Sequence, residues 1–224
     1  MATTTDTAAL ELRNVTVRFD GQAVLLDFSM SLKRGEKALL TGPSGCGKST
    51  VLRCLLGFVA PEAGAVHIHG TPLDAHSIWT LRRHLAYVGQ EPELGAGTVN
   101  EILERPFHFR ANAPLRENLR RVPQLCEQFG LAPALLNKEP GDLSGGEKQR
   151  IALISALLLD RRIFLLDEVT SALDRASKNI VLDYFQSRDD ITALFVAHDS
   201  EWFSFANQVI EMPHRQSIGA HGNG

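Results

Sequence analysis

The chain has 224 residues, 44% of them apolar and 22% charged, with a formal net charge of −3. That length suits one substantial core with room for an added lobe, and the composition excludes a mostly disordered protein. The small negative charge gives no basis for nucleic-acid binding by bulk electrostatics.

Met1 to Ala9 is Thr-rich and lacks the basic segment and apolar core of a secretory signal. The longest largely apolar stretch, Ile151 to Leu159, has nine residues, far short of the roughly 20 needed to span a bilayer. Work at a membrane would need another chain to cross it. Cys46, Cys54 and Cys126 have neither metal-ligand spacing nor an even-numbered disulfide framework, so reduced thiols are expected. Oxidation of Cys46 would block the glycine-rich loop that contains it.

In chain order, Leu10 to Val17 and Ala23 to Leu32 read as antiparallel strands joined by a turn at Asp20-Gly21. Glu36 to Leu40 is a strand running into a glycine-rich loop, and Lys48 to Phe58 favours helix, ended by Gly57 and Pro61. Short strands follow at Ala65 to His69 and Leu85 to Val88. From Glu91 to Asp142 the character changes to a Pro-containing, helical lobe, with a helix expected over Leu115 to Phe129. Gly145 to Leu159 is a long helix, apolar on most faces in its second half. Ile163 to Leu166 is a continuous apolar run, the pattern of a parallel strand covered on both faces. A helix at Arg175 to Ser187 and strands at Ile191 to Ala197 and Gln208 to Met212 complete an α/β sheet. Residues 1–9 and 213–224 read as flexible tails.

Gly42-Pro43-Ser44-Gly45-Cys46-Gly47-Lys48-Ser49 fits the spacing of a phosphate-binding loop between strand and helix. Glycines let the backbone wrap round a phosphate with its N–H groups inward, and the helix N-terminus adds a favourable dipole. Lys48 supplies charge to the β- and γ-phosphates, and the Ser49 hydroxyl ligates Mg²⁺. Downstream, Asp167 and Glu168 close a buried strand, where open α/β sheets bind ligands. Asp167 is the expected partner of Mg²⁺, and Glu168 can polarise an attacking water as general base. Leu143-Ser144-Gly145-Gly146-Glu147 opens the long helix. Ser144 is a good N-cap, and the two glycines leave backbone N–H groups open to a second phosphate contact.

Together these motifs resemble the ABC ATPase family over roughly Leu10 to Met212. Gly42 to Thr50 matches its Walker A loop, Ile163 to Glu168 its Walker B strand and Leu143 to Glu147 its signature. Gln90 matches the Q-loop glutamine, Ser171-Ala172-Leu173-Asp174 the D-loop, His198 the switch histidine and Phe19 the aromatic that stacks on adenine. The resemblance implies a single domain, 10–212. Its parts would be a RecA-like P-loop NTPase core, an N-terminal antiparallel β subdomain and an inserted helical subdomain, approximately 91–158. It further implies an ATPase using ATP and Mg²⁺, with Glu168, His198 and Lys48 catalytic and Ser49, Gln90 and Asp167 at the metal. In a head-to-tail dimer, ATP on Lys48 of one copy would be sandwiched by Ser144, Gly145 and Gly146 of the other. Asp174 would help to join the two sites. A separate transmembrane permease subunit would hold the protein on the cytoplasmic face of the membrane, and no nucleic-acid partner is expected.

Val169-Thr170 replaces the family's common Pro-Thr after Glu168, and Lys148 follows the signature. With the short length, these features resemble the Fet-type ATPases of bacteria, associated with iron export. The alternative is a soluble, non-transport ABC ATPase. That class separates the halves of its site with long coiled coils, and no sustained heptads lie between Gln90 and Ser144. Phe107 and Phe109 in the lobe offer aromatics to a membrane partner, although either could serve the lobe's own core.

Overall fold

Asp20 and Gly21 both take positive φ, 51° and 77°, as a two-residue type I′ hairpin turn requires. They join β1 (Leu10–Phe19) to β2 (Gln22–Leu32), each reaching the turn rather than stopping short of it. The computed structural model describes residues 7–197 and 205–213. Ordered pairing starts before Leu10, because Ala9 is fully buried and its N–H donates to the Leu32 carbonyl.

β3 (Lys37–Thr41) leads into α1 (Lys48–Leu55). This helix stops earlier than Phe58 because Gly57, at φ 68°, reverses the chain. Gly57 N–H then bonds the Cys54 carbonyl and Phe58 N–H the Arg53 carbonyl, a Schellman closure. β4 (Ala63–Ile68) and β5 (Thr71–Pro72) form a second hairpin. After α2 (Ile78–Leu81) comes β6 (Leu85–Val88).

The inserted lobe follows. α3 (Val99–Glu104) carries a reciprocal capping box, Glu101 N–H to Thr98 Oγ1 and Thr98 N–H to Glu101 Oε2. The helix expected over Leu115 to Phe129 is divided: Ala113–Arg121 is 3₁₀, and only α4 (Val122–Gln128) is α-helical. Pro123 lies in the first turn of α4, where its missing N–H costs nothing. One α-helix continued from Leu115 would lose a backbone hydrogen bond there. α5 (Gly145–Leu158) leads back to the sheet at β7 (Ile163–Asp167), followed by α6 (Arg175–Gln186), β8 (Thr192–Val196) and β9 (Gln208–Glu211).

Among the described residues two sheets form, an antiparallel one ordered β2-β1-β4-β5 and a parallel one ordered β6-β7-β8-β3-β9. The strand period of two splits β7 between two cores. Ile163 and Leu165 join Leu40, Leu194 and Val196 against the antiparallel sheet's Leu10, Leu12 and Val15. Phe164 and Leu166 face the lobe, packing with Phe129, Leu157, Phe185 and Phe195. Phe185 meets Phe164 and Phe195 edge-on, with ring centroids 5.3 and 5.4 Å apart. Coverage on both faces explains the uninterrupted apolar sequence of β7.

Candidate active site

Register brings the site residues to one level. Leu40 pairs with Val196, Val196 with Asp167, and Leu166 with Val88. The phosphate loop, the acidic pair and Gly89-Gln90 therefore all leave the C-terminal edge of the parallel sheet, where ligands of open α/β sheets bind. His198 lies outside the described residues.

In the loop, Gly42 and Gly47 have φ of 148° and 110°. A side chain at Gly42 would meet the Met212 carbonyl at 2.8 Å, and one at Gly47 the Val24 carbonyl at 3.1 Å. Met212, just past β9, and Val24 of β2 thus crowd the loop, and with these positive φ values glycine is the residue that fits. Lys48 is buried, and its ammonium donates to the carbonyls of Gly42 and Pro43 at 2.8 and 3.0 Å. The charge sits within the curl of the loop, with hydrogen bonds it can exchange for phosphate oxygens. Ser44, Gly45 and Ser49 are exposed, whereas Thr50 is buried. Cys46 is buried too, with its thiol packed beneath the loop, so oxidant access from solvent is poor. Phe19 is 45% exposed at the end of β1.

Asp167 is partly buried, and its carboxyl is pushed above the usual range by burial and then by neighbouring Glu168. The Tyr87 hydroxyl donates to Asp167 Oδ2 at 3.4 Å, and with Lys48 and Arg53 it opposes that rise. Glu168 adopts a left-handed φ of 49°, strained for a residue with a side chain. Its N–H to Val196 and its carbonyl to the Ser171 N–H hold it there. Asp167 and Gln90 leave the same sheet edge as the loop carrying the exposed Ser49 hydroxyl, an oxygen donor set that suits Mg²⁺. Gln90 is exposed and lines a cleft of about 930 Å³ with Tyr87, Leu94, Arg105, Phe109 and Asp167.

The second helix terminus is built differently. Ser144 Oγ accepts from Glu147 N–H at 3.2 Å and Glu147 Oε2 from Ser144 N–H at 2.7 Å, completing a capping box. That bond from the Ser144 backbone holds the Glu147 carboxyl below its ordinary value. A side chain at Gly145 would touch Ala172 at 3.5 Å, and one at Gly146 the Ala172 carbonyl at 3.1 Å. The signature glycines thus abut the Ser171–Asp174 turn, whose Asp174 caps α6 by accepting from Ser177 N–H at 2.7 Å. Sequence reasoning missed Tyr87, Gln149 and Arg150. Gln149 is buried, donates its amide to the Gly89 carbonyl at 3.0 Å and leaves its Oε1 without a partner. A run of polar residues in a helix otherwise buried was the available signal.

Residues 25–171 match the ABC transporter family. The chain belongs to that family: it is the ATP-binding, ATP-hydrolysing subunit of an ABC transporter. It is 35% identical over 209 residues to an Escherichia coli (strain K12) protein, "Probable iron export ATP-binding protein FetA", covering 92% of each chain. It is 36% identical over 213 residues to "Fe(3+) ions import ATP-binding protein FbpC 3" of Rhodococcus jostii (strain RHA1). That match covers 92% of this chain but spans only 60% of the relative. Among solved structures, it resembles a dimeric ATP-binding cassette in a post-hydrolysis state bound to ADP and Pi, with TM-score 0.76 and 26% identity. That alignment covers 91% of this chain and 94% of the other.

Proposed function

We propose that the chain works as a head-to-tail dimer on the cytoplasmic face of a separate membrane-spanning subunit, powering export of metal ions, iron foremost. The observation that carries the dimer is the division of phosphate-binding parts. The Lys48 loop rests on Met212 and Val24, whereas Gly145 and Gly146 rest on Ala172 and Leu173. Each terminus offers backbone N–H groups to an anion, and a second copy would bring the capped serine helix to the nucleotide held by Lys48. The dimeric solved relative with ADP and Pi supports this reading.

In that arrangement Lys48 holds the β- and γ-phosphates, Phe19 stacks on adenine, and Ser49, Asp167 and Gln90 hold Mg²⁺. When bound, Mg²⁺ would neutralise charge on the phosphates during transfer. Glu168 takes the proton from the attacking water, its carboxylate held at the strand end by the left-handed backbone. His198 is assigned to the γ-phosphate, and Asp174 to the link between the two sites. Among the described residues no helix is long and apolar enough to cross a membrane. The Gln90 cleft, rimmed by Phe109, would receive a helix of the membrane subunit.

Export is favoured by the likeness to FetA, which spans 92% of both chains. The FbpC relatives carry import in their names and support iron as cargo without supporting direction. The testing experiment pairs Glu168→Gln with cellular metal content. The variant should bind ATP, lose most turnover and sediment as a dimer. Cells lacking the chain should accumulate iron. Turnover at the unmodified rate would remove Glu168 as base, and unchanged or lowered iron would remove iron export.

A further inference from the structure

Arg150 sits one turn into α5, four residues beyond Gly146, and its guanidinium reaches three separate segments. Its Nε donates to the Gly146 carbonyl at 3.2 Å. Its Nη1 reaches the Phe129 carbonyl at 3.2 Å, the Gly130 carbonyl at 3.5 Å and Ser177 Oγ at 3.1 Å. Phe129 and Gly130 end α4 in the lobe, and Ser177 lies in the first turn of α6. Ser177 in turn donates its N–H to Asp174 Oδ1 at 2.7 Å. An unbroken chain of hydrogen bonds therefore runs from the signature glycine through Arg150 and Ser177 to Asp174. Beside it, Gly146 lies flat against the Ala172 carbonyl and Leu173, too close for any larger residue without movement.

We propose that Arg150 is a positioning residue that fastens the signature helix terminus and the Ser171–Asp174 turn into one body, presented as a unit to the partner's nucleotide. This rests on the two-subunit site proposed above. In that site Ser144, Gly145, Gly146 and Asp174 all act across the dimer, while Lys48, Asp167 and Glu168 act within the chain. Misplacing the first group weakens closure of the dimer without touching the first binding event. The planar fork of Arg suits the task, because several acceptors in different directions must be held at once. Lys offers a single point of attachment and would hold fewer of them.

The test uses the Glu168→Gln protein, in which ATP-driven dimerisation is read by sedimentation and ATP binding to the monomer by fluorescence titration. Adding Arg150→Met should weaken dimerisation at least about tenfold while monomer affinity for ATP stays within about twofold. Arg150→Lys should fall between. Ser177→Ala, which removes a single acceptor at a buried position, should weaken dimerisation by a smaller factor in the same direction. In the nucleotide-free monomer, hydrogen exchange of the Leu173 and Ser177 amides should quicken together in Arg150→Met. If the parent dimerises and folded Arg150→Met or Ser177→Ala does so equally well, the clamp is wrong and the two-subunit site stands. If the parent itself stays monomeric with ATP bound, the two-subunit site fails and the clamp with it.

Discussion

Tyr87 Oη lies 3.4 Å from Asp167 Oδ2, a phenol on β6 reaching across to the acid that ends β7. Gly89 leaves room for the contact, since a Cβ there would crowd the same hydroxyl at 3.2 Å. Burial and Glu168 both work against the charged form of Asp167, and the phenol works for it. The tyrosine thus favours the charged form of Asp167, the residue proposed above as an Mg²⁺ ligand, at the edge of the Gln90 cleft that both residues line.

Tyr87→Phe keeps the ring and removes only the donor. The Mg²⁺ concentration giving half-maximal ATP turnover should rise roughly two- to fivefold, in keeping with the loss of one long hydrogen bond to a charged group. ATP binding in the presence of EDTA should be unchanged. An unaltered Mg²⁺ requirement would mean the phenol has no part in metal capture.

A blocking substitution at Ser144 has two effects that the geometry separates. Ser144→Arg should leave monomer ATP binding intact and abolish turnover, because in the proposed dimer the bulk falls on the partner's nucleotide. It also deletes the capping box with Glu147, so a stability loss of about 1 kcal/mol should accompany it. Ser144→Ala isolates the second effect. Its urea midpoint should drop about as far as that of Ser144→Arg, while much more of its turnover survives.

Much of this architecture could be read from residue order. The loop from Gly42 to Ser49, the apolar run before Asp167 and the Asp20-Gly21 turn each fix a local conformation by their own chemistry, and local chemistry is legible in one dimension. The lobe was harder. Its backbone is largely 3₁₀ with prolines at segment starts, so no single period runs through it. Yet α3 carries a Thr-x-x-Glu box at Thr98 and Glu101, a start signal legible in residue order. Arg150 and Tyr87 were hard to read for another reason: apart from Gly146, their partners lie at least 20 residues away in sequence along other segments. Only the packed fold defines such contacts.

Acid should expose one further feature. Arg188 holds Asp190 in a fork, Nε to Oδ1 at 2.8 Å and Nη2 to Oδ2 at 2.9 Å, and Arg162 adds a second ion pair. The carboxyl is depressed from 3.8 to about 2, first by the Arg188 hydrogen bonds. Since the folded value is the lower one, its stabilisation is fully present above 3.8 and disappears as pH falls towards about 2. The pair is largely exposed, so the effect is small and screened by salt. Asp190→Asn should be less stable than the parent at neutral pH, and the gap should close across that acid window. Urea titrations at stepped pH would check it, and a gap independent of pH would refute the assignment.

The two lobe phenylalanines should part company. Phe107 is 1% exposed among Leu103, Leu125 and Ile151, whereas Phe109 is 67% exposed on the rim of the Gln90 cleft. Phe107→Ala opens a cavity in the lobe core and should cost about 3–5 kcal/mol, enough to lower the soluble yield. Phe109→Glu removes no core contact, so folding should change by less than about 0.5 kcal/mol. It places a charge where a partner helix would bury its apolar face, a penalty that falls on assembly alone. Co-purification with the membrane subunit should therefore fail for Phe109→Glu while ATP binding by the free chain persists. Full recovery of the complex with a folded Phe109→Glu protein would move the docking surface elsewhere.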